Sequence, residues 1–397
     1  MKQHPCLMFY CQHSLGMGHL IRSLALAKAL INRFRVVFLN GGRIPEGIPF
    51  PDQIERIDMP PLGMDEAGRL VNLSPGIPLG MVKRVRRNQL QKAFATALPD
   101  VLLIELFPFG RKKFAYELLP LLKAARRAQP RPVVVCSLRD ILVNHRRDQQ
   151  RHDDRARWLA DRYFDAVLVH SDPAFVRLEH SFKPARNLGT PVFHTGFVVP
   201  RKSPSDSMAG EGNAGLVVSA GGGIVGEKLL RCAVEAYPRI REHHAVPMTL
   251  ITGPFLPESI QGGLENLGHG LPDLRIVRSV PDLQAVLGNA TASISQCGYN
   301  TAMDVLRTNV PALFVPFSTQ RENEQLRRAQ LLASHGIARY LPESRLTPDT
   351  LAEAAIQLLD FRPWPHRLDL DGASRTCALI CGLLDRVRAG SHDDRVA

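Results

Sequence analysis

A glycine-rich segment near the N-terminus brings a histidine and an arginine to the start of a helical pattern. Ser14–Arg22 directly follows an apolar, strand-like run and contains Gly16, Gly18, His19 and Arg22. Glycines let the backbone approach an anionic or sugar ligand, and a helix N-terminus favours negative charge. His19 could act as a general base or could cap its helix by bonding the turn, and its position is compatible with both roles.

A second glycine-rich segment has the character of a phosphate site. Ser219–Gly226 also connects a strand-like run to a helical one, with Gly221, Gly222 and Gly223 in succession. Several backbone N–H groups could cradle a diphosphate there, and a tight strand-to-helix connection is the alternative. Three consecutive glycines exceed what a turn needs, so we predict a phosphate site. No Gly-Lys-Ser/Thr follows, which excludes a P-loop.

Two polar segments follow apolar runs later in the chain. Ser295–Asp304 has Asp304 on the first turns of a helix, where a carboxylate can bind a ribose diol or interact with the helix dipole. Pro316–Gln325 carries many short polar side chains and includes Glu324 and Gln325. Sugar hydroxyls bind such side chains, and an ordinary polar helix start is the alternative.

A single carboxylate stands out in an apolar run of the first half. Beyond its first residue, Asp100–Phe107 has Glu105 as its only charge, and it leads into Pro108-Phe109-Gly110. Such a carboxylate either faces a cleft or is buried with a partner. Desolvation disfavours the charged form, so we expect a raised pKa that would suit a general base. A structural role is the alternative.

Alternating strands and helices must position these segments, and this alternation is typical of parallel α/β units. In the first half the predicted strands are Cys6–Gln12, Arg35–Asn40, Asp100–Phe107, Pro132–Leu138 and Asp165–His170. In the second half they are Gly215–Ala220, Pro247–Thr252, Leu274–Val277, Ala290–Gln296 and Pro311–Pro316. The predicted helices include Leu20–Asn32, Lys112–Ala128, Glu227–Glu242, Asn300–Thr308 and Arg321–Ser334.

A segment of linker composition, Val199–Ser207, separates the two series. We therefore predict two doubly wound, Rossmann-like domains that face each other across a cleft, over residues 1–199 and 200–372. Residues 373–397 are predicted to form a closing helix, Arg375–Arg388, and a polar tail.

The composition is that of a globular protein. Of 397 residues, 45% are apolar and 22% charged, and no apolar run approaches the ~20 residues of a membrane helix. The seven cysteines are scattered without a CxxC pair, which favours a reducing cytosol and argues against disulfides and zinc. We expect a cytoplasmic protein without a signal peptide.

The net charge of +12 is concentrated in the first half of the chain. Residues 1–200 contain 30 Lys and Arg against 17 Asp and Glu, whereas residues 201–397 contain 20 against 21. The densest runs are Lys83–Arg87, Arg111–Lys113 and Arg146–Arg151. An anionic membrane, an acidic acceptor or plain solvation could account for them. No nucleic-acid motif is present, so we expect no nucleic-acid partner.

From Gly215 to Leu341 the chain resembles the family 28 glycosyltransferases, which include the peptidoglycan N-acetylglucosaminyltransferase and plant galactolipid synthases. Gly221–Gly223 is similar to the family's diphosphate turn, and Val280–Leu283 to the segment whose backbone binds the uracil. Cys297–Phe317 is the most specific match. The resemblance implies a GT-B fold, with a nucleotide-sugar donor bound by the C-terminal domain and the acceptor by the N-terminal domain.

The same resemblance assigns roles to three polar residues. Asp304 stands where the family has a ribose-binding Glu, and Glu324 and Gln325 lie near its sugar-binding Gln pair. Both sites depart from the family pattern. Asp is shorter than Glu, and Glu324 in place of Gln leaves the donor sugar open.

At the N-terminus, Gly16–Ala27 is similar to the family turn and also to the UDP-sugar hydrolase of pseudaminic acid synthesis, a non-transferring relative. In both groups the histidine that matches His19 lies near the reacting centre. The resemblance implies an inverting, metal-independent displacement at the anomeric carbon. The only DxD sequence, Asp369–Asp371, lies after the core, and the first turn lacks the third glycine of a dinucleotide site. We therefore expect no metal and no cofactor.

The sequence thus predicts a glycosyltransferase that uses a nucleotide-diphosphate donor, UDP-linked, and an unidentified acceptor hydroxyl. His19 is the first candidate for the base and Glu105 the second. Hydrolysis with water as the acceptor, or nucleotide-sugar binding without catalysis, are the alternatives. The basic first half of the chain would allow peripheral contact with the inner face of an anionic membrane.

Overall fold

The computed structural model describes residues 4–13, 18–44, 48, 50–65, 68–74, 76–143, 147–200, 215–319 and 323–393. The chain folds into two compact α/β units. The first consists of Met1–Leu142, Arg147–Pro200 and Leu368–Ala397, and the second of Val143–Arg146 and Arg201–Arg367. The C-terminal segment of the chain therefore belongs to the first unit.

The strands are numbered in chain order. In the first unit they are β1 (Cys6–Cys11), β2 (Arg35–Asn40), β3 (Ile54–Asp58), β4 (Leu62–Met64), β5 (Leu70–Asn72), β6 (Val101–Glu105), β7 (Val133–Arg139), β8 (Ala166–His170) and β9 (Val192–His194). In the second unit they are β10 (Gly215–Ser219), β11 (Met248–Ile251), β12 (Leu274–Val277), β13 (Ala290–Ser295), β14 (Ala312–Phe314) and β15 (Arg339–Tyr340).

The α-helices follow the same convention. They are α1 (Gly18–Leu30), α2 (Leu79–Ala97), α3 (Ala115–Arg127), α4 (Gln149–Tyr163), α5 (Glu227–His243), α6 (Glu258–Gly268), α7 (Leu283–Gly288), α8 (Tyr299–Thr308), α9 (Glu324–Ser334), α10 (Pro348–Leu359) and α11 (Gly372–Asp393). No helix in the described part of the chain combines the length and the apolar composition of a membrane span.

The first unit is built on a seven-stranded sheet in the order β3-β2-β1-β6-β7-β8-β9, and every neighbouring pair is parallel. Successive strands are added to one side of β1 up to β3, and then to the other side from β6 to β9, so the strand order reverses between β1 and β6. The loops that leave these two adjacent strands therefore diverge and open a crevice at their carboxyl ends. β4 and β5 form a separate antiparallel hairpin.

The second unit repeats this principle with six parallel strands in the order β12-β11-β10-β13-β14-β15. Here the order reverses between β10 and β13. The turn after β10 and the turn after β13 consequently lie side by side at the carboxyl edge of the sheet, where ligands of such sheets bind.

Helices cover both faces of the first sheet. α1 and α11 pack together on the face that carries Leu7 and Phe9, whereas α2, α3 and α4 pack on the face that carries Met8 and Tyr10. Strands buried on both faces read as continuous apolar runs. The sequence therefore predicts the central strands of this sheet to within two residues at either end, and β2 matches its predicted bounds.

The structure differs from the predicted elements at the sheet edges, at the unpredicted β4–β5 hairpin and at the helix starts. β3, β9 and β15 are edge strands that the sequence pattern did not indicate. β3 carries the exposed charges Glu55 and Arg56, and β9 and β15 are three and two residues long, so their apolar signal is weak. The predicted helix Lys112–Ala128 begins instead with a 3₁₀ turn, Lys112–Phe114, followed by α3.

Candidate functional site

His19 and Glu105, which the sequence offered as separate candidates for a base, are in contact in the first unit. His19 lies on the first turn of α1, just after β1, and Glu105 is the last residue of β6. Because β1 and β6 are neighbours at the point where the strand order reverses, their carboxyl ends meet. The Nδ1 atom of His19 lies 2.6 Å from Oε1 of Glu105, with the side chains 14% and 0% exposed.

Arg22 completes this cluster from one helical turn further along α1. Its Nη2 donates to Oε1 of Glu105 at 2.5 Å and lies 3.4 Å from Nδ1 of His19. The guanidinium is buried, so the bond is a charge-assisted pair removed from water. Arg22, which the sequence grouped with the N-terminal glycine turn, thus holds the carboxylate that contacts His19.

Burial and charge set the protonation of this pair. Burial lowers the pKa of His19 to about 3, although Glu105 opposes the shift. Burial raises the pKa of Glu105, but His19, Arg22 and Arg111 together outweigh it and lower that pKa to about 2. The expectation of a raised pKa for Glu105 was therefore wrong, because the hydrogen bond from His19 and the charges of Arg22 and Arg111 stabilise its ionised form more than desolvation opposes it.

At neutral pH the pair accordingly consists of an ionised carboxylate and a neutral imidazole. An ionised carboxylate can only accept hydrogen bonds, so the ring proton of His19 resides on Nδ1. Nε2 then carries a lone pair, and it has no hydrogen-bond partner among the described residues. A neutral imidazole with a free Nε2 can take a proton from a hydroxyl group.

The described part of the N-terminal turn shows no packing reason for its glycines. Gly16 lies outside the described residues. Gly18 is the first residue of α1, and a Cβ atom there would meet nothing within 4 Å, so packing does not require a glycine. The ring of His19 bonds side chains rather than a backbone N–H group of its own helix.

Further polar residues surround the pair and were not singled out from the sequence. His13 follows β1 and bonds Oδ1 of Asn40 through Nε2 at 2.9 Å. His170 ends β8, is fully buried, and lies 2.8 Å from the Ser137 hydroxyl. Arg111 lowers the pKa of His13 as well as those of His19 and Glu105. Most of these residues end or follow a parallel strand, and that position is the signal that could have identified them.

In the second unit, the turn Gly221–Gly223 lies between β10 and α5. Gly221 and Gly223 have φ angles of 59° and 90°, and a Cβ on Gly223 would lie 2.6 Å from the Thr252 carbonyl oxygen. Glycine is thus required at position 223 by close backbone packing. The N-cap of α5, Gly226, makes no side-chain cap bond, so the N–H groups of its first turn are not capped by that residue.

Asp304 and Val280 lie near the same edge. Asp304 is on the second turn of α8, and its Oδ1 accepts a hydrogen bond from Nε2 of Gln284 in α7 at 2.8 Å. Val280 is half-buried in the loop between β12 and α7, and Asp282 caps α7 through the Ala285 N–H at 2.8 Å. Gln284 therefore orients the carboxylate, which the sequence did not predict.

The last donor-side candidates lie at the start of α9. Glu324 and Gln325 are its first two residues and are half-buried. Oε1 of Gln325 accepts a hydrogen bond from the Phe317 N–H at 3.2 Å and so fastens the loop after β14. Arg328, one turn further on, is fully buried and donates from Nη1 to the Cys297 carbonyl at 2.7 Å, just before α8.

Among the described residues, no three or more His, Cys, Asp or Glu side chains are grouped so that they could hold a metal ion. The acidic pair Asp369 and Asp371 makes bonds within the first unit: Oδ2 of Asp369 pairs with Arg375 at 2.8 Å, and Oδ1 of Asp371 accepts from Ser374 at 2.9 Å. These carboxylates stabilise the start of α11.

A family model and a set of relatives match this chain. Residues 216–365 match the Glycosyltransferase family 28 C-terminal domain. The UDP-N-acetylglucosamine–N-acetylmuramyl-(pentapeptide) pyrophosphoryl-undecaprenol N-acetylglucosamine transferase of Methylorubrum extorquens is 26% identical over 232 residues, 57% of this chain and 58% of the relative. The same enzyme of Carboxydothermus hydrogenoformans is 26% identical over 201 residues, 49% and 52% of the two chains. The chain spans little more than half the length of these relatives.

Solved structures share the fold over nearly the whole chain. Acinetobacter baumannii MurG has a TM-score of 0.59 at 17% identity, covering 95% of this chain and 100% of that one. The calicheamicin glycosyltransferase CalG4 has a TM-score of 0.56 at 17% identity, covering 100% and 98%. All the donor-side candidates, from Gly221 to Gln325, lie inside the matched family 28 span. Residues 216–365 of the second unit therefore carry the Glycosyltransferase family 28 C-terminal domain, and the chain as a whole shares the GT-B fold of these solved structures.

Proposed function

We propose that the chain is an inverting, metal-independent glycosyltransferase that moves a sugar from a UDP-linked donor to an acceptor hydroxyl. The observation that carries the proposal is the contact between neutral His19 and ionised, buried Glu105, which leaves Nε2 of His19 free to accept a proton. The family match of the second unit and the UDP-N-acetylglucosamine in the names of the relatives support a UDP-sugar donor.

In the proposed reaction, Nε2 of His19 takes the proton of the acceptor hydroxyl. The oxygen then forms a bond to the anomeric carbon while the bond from that carbon to the diphosphate breaks, so a single displacement inverts the configuration. Glu105 stabilises the imidazolium that forms, and Arg22 keeps Glu105 in place. Glu105 raises the pKa of His19 against the larger lowering effect of burial, so it makes the imidazole a stronger base than burial alone would leave it.

The second unit would hold the donor. We assign the diphosphate to the N–H groups of Gly221–Gly223 and the first turn of α5, where the helix dipole stabilises the departing negative charge. Asp304, oriented by Gln284, would bind the ribose, and Glu324 and Gln325 the sugar. The backbone at Val280 would bind the base. This division leaves the first unit for the acceptor.

Hydrolysis is the second candidate function, because the same neutral imidazole can activate water. The His19 ring is 14% exposed, so solvent reaches it without an acceptor. A nucleotide-sugar-binding protein without turnover is a third candidate. The names of the relatives include an undecaprenol-linked acceptor, and we propose on that basis a lipid-linked acceptor with peripheral membrane contact.

One experiment separates these functions. The protein is incubated with a panel of UDP-sugars after thermal-shift screening, since a tight donor stabilises the fold by linkage. Free sugar and UDP in the absence of an acceptor indicate hydrolysis, whereas UDP release that requires an added acceptor indicates transfer. Donor stabilisation without UDP release in any mixture would overturn the assignment of an enzyme.

A further inference from the structure

A second histidine follows β1, and the proposed reaction gives it no role. His13 lies just beyond the end of β1 and is only 5% exposed. Its Nε2 atom lies 2.9 Å from Oδ1 of Asn40, the last residue of β2. The parallel strands β1 and β2 are neighbours, with Cys11 opposite Asn40, so the two side chains meet at the carboxyl edge of the first sheet.

The surroundings of Asn40 determine which end of its amide faces His13. The end that points away from His13 lies 2.9 Å from the Gly42 carbonyl oxygen and 2.9 Å from Oδ1 of Asp58. A carbonyl and a carboxylate oxygen accept hydrogen bonds, so the amide atom between them is the donor, Nδ2. The end that faces His13 is therefore Oδ1, which can only accept. His13 consequently donates from Nε2.

The ring proton of His13 thus resides on Nε2, and Nδ1 carries a lone pair. Burial lowers the pKa of His13, so the ring is neutral at pH 7. No described residue donates a hydrogen bond to Nδ1. Because an acceptor atom in an almost fully buried residue is costly to leave unpaired, Nδ1 is suited to a hydrogen-bond donor that a ligand supplies.

The residue beside this nitrogen is a glycine, and close packing requires it. A Cβ atom on Gly42 would lie 2.7 Å from Nδ1 of His13, 2.6 Å from its Cε1 and 2.3 Å from its carbonyl oxygen. These separations are shorter than van der Waals contact, so a larger residue would displace the ring or the loop. A side chain at position 42 would also cover the Nδ1 edge of the ring. Glycine leaves that edge open.

A buried network holds the backbone that carries His13. Gln12 donates from Nε2 to the His13 carbonyl at 2.9 Å, and its Oε1 accepts from Nη2 of Arg86 at 2.7 Å. Arg86 also donates to the Gly41 carbonyl at 3.0 Å. The loops after β1 and β2 are therefore both tied to α2. A group that is held in this way loses little conformational entropy when it binds a ligand.

The hydrogen-bond partner of His13 separates its chemistry from that of His19. His19 bonds the carboxylate of Glu105, which favours the protonated ring, whereas His13 bonds a neutral amide. An imidazolium at His13 would be buried without a carboxylate bonded to it, so this ring accepts a hydrogen bond and does not act as a base. Its lone pair can accept an O–H group, but it repels phosphate and carboxylate oxygens that carry no proton.

We propose that His13 is a specificity-determining residue, whose Nδ1 atom accepts a hydrogen bond from a substrate hydroxyl other than the one that reacts. The inference rests on the proposed function, because it defines the substrate class of the first unit: a polyhydroxy acceptor of the sugar kind, and not a simple alcohol. Asn40 and Gly42 are positioning residues for this contact. Asn40 fixes the tautomer of His13, and Gly42 keeps Nδ1 uncovered.

The first measurement determines the tautomer in the wild-type protein, so it needs no variant that could unfold. Proton–nitrogen correlation NMR spectra of the imidazole rings distinguish a protonated nitrogen from one with a lone pair. The signals of His13 are identified by their loss in His13→Asn. At pH 7 we expect Nε2 to carry the proton and Nδ1 to carry none. A protonated Nδ1 would overturn the inference.

The second measurement uses the methyl glycosides of glucose, galactose, mannose and N-acetylglucosamine as probes, with UDP in excess to fill the donor site. At least one glycoside should shift the Nδ1 signal of His13, and that glycoside is then compared with its monodeoxy analogues. One analogue should bind the wild type about tenfold more weakly, because its missing hydroxyl leaves Nδ1 unpaired. His13→Phe should bind the glycoside and this analogue equally.

Two variants complete the comparison. His13→Asn should retain part of the discrimination, because the amide oxygen of asparagine can take the place of Nδ1. The matched control is His4→Phe, at an exposed histidine of the same unit, and it should discriminate as the wild type does. The inference is wrong if no glycoside shifts the Nδ1 signal, or if His13→Phe still distinguishes the two sugars.

UDP affinity and the melting temperature are measured on every variant, so that a variant that fails to fold is recognised. Failure of the wild type to bind UDP would refute the proposed function. The tautomer and glycoside measurements would still decide the role of His13 in that case, because their signal comes from the His13 ring itself.

Discussion

The ionised Glu105 carboxylate determines which nitrogen of His19 is available for chemistry. Because Glu105 can only accept hydrogen bonds, it keeps the imidazole proton on Nδ1 and leaves Nε2 as the basic atom. Arg22 keeps the carboxylate ionised and fixed, so the three residues act as one unit. Each alone is an ordinary polar residue. Their contact gives His19 a defined tautomer and offsets part of the effect of burial on its pKa.

His19→Ala tests this role. We expect turnover to fall by about 10²–10⁴-fold, the usual range for loss of a general base, with donor affinity nearly unchanged. The measurement is a single-turnover rate together with calorimetric donor binding. His4→Ala, at an exposed histidine of the same unit, should have no effect on either quantity. A His19→Ala variant with full turnover and a lower melting temperature would assign the residue to stability only.

Asp304→Ala tests the ribose contact. Removal of a carboxylate that receives a charge-assisted bond is expected to weaken donor binding by about 1.5–3 kcal/mol without unfolding the protein, because Asp304 is only partly buried. Gln284→Ala should have a smaller effect in the same direction, since it removes only the orienting bond. Asp360→Ala, at an exposed helix end, is the control. Unchanged donor affinity in Asp304→Ala would contradict the assignment.

At the scale of the secondary-structure elements, helix α2 carries both exposed and buried basic side chains. Within the run Lys83–Arg87, Arg84 and Arg87 are exposed, but Arg86 is fully buried. Its Nη2 pairs with Oε1 of Glu117 at 2.6 Å, and its Nη1 donates to the Gly41 carbonyl at 3.0 Å. The run is therefore not one continuous basic surface, because helical periodicity places the side chain of Arg86 on the buried face of α2.

Arg86→Ala is accordingly expected to destabilise the first unit by about 3–5 kcal/mol, because it leaves the buried Glu117 carboxylate without its cationic partner. The free energy of unfolding is measured by urea denaturation with a probe in the first unit. The neighbouring Arg87→Ala is a matched control and should change stability by less than about 0.5 kcal/mol. Similar stabilities for the two variants would show that the buried pair contributes little to the fold.

The exposed face of α2 is where we expect membrane contact. Met81 and Val85, four residues apart, are 48% and 45% exposed, and Arg84 and Arg87 flank them. Apolar and basic side chains on one helix face favour an anionic membrane surface. Met81→Ser with Val85→Ser, or Arg84→Glu with Arg87→Glu, should each reduce cosedimentation with phosphatidylglycerol vesicles.

The charge-reversed pair should also lose its dependence on salt, whereas wild-type binding should fall as the ionic strength rises. Neutral phosphatidylcholine vesicles serve as the comparison surface for both variants. If the wild-type protein does not bind anionic vesicles at low salt, the membrane proposal is wrong and the basic face is an ordinary solvated surface.

At the scale of the whole molecule, the buried titrating groups make stability depend on pH. The pKa values of His19 and His170 are lowered to about 3 from an ordinary 6.5, and that of Glu105 to about 2 from 4.5. Below pH 6.5 the unfolded chain binds protons on these histidines that the folded chain excludes. Stability is therefore lost as the pH falls through this window, and Glu105 adds to the loss below pH 4.5.

We expect the free energy of unfolding of the first unit to fall by at least about 2 kcal/mol between pH 7 and pH 4. Melting temperatures measured at several pH values test this expectation. His170→Gln should flatten the profile, whereas the exposed His243→Gln should leave its shape unchanged. A flat wild-type profile would mean that these histidines bind protons as readily in the folded protein as in the unfolded chain.

The sequence by itself determined the features that depend on local pattern. Continuous apolar runs indicated the central parallel strands, since such strands are buried on both faces, and glycine-rich turns after two of them suggested candidate ligand sites. The family resemblance of the second half was equally readable, because its motif is contiguous from Cys297 to Phe317. The polar edge strand β3 was not predicted, because its exposed charged residues leave too few apolar positions to indicate a strand.

Only the tertiary structure decided which distant residues meet. His19 and Glu105 are 86 positions apart, and their contact exists because the sheet places β6 beside β1. Strand order depends on how helices pack over the whole sheet, and no local pattern records it. The same holds for the pKa of Glu105, which burial alone would raise but which the converging positive groups lower.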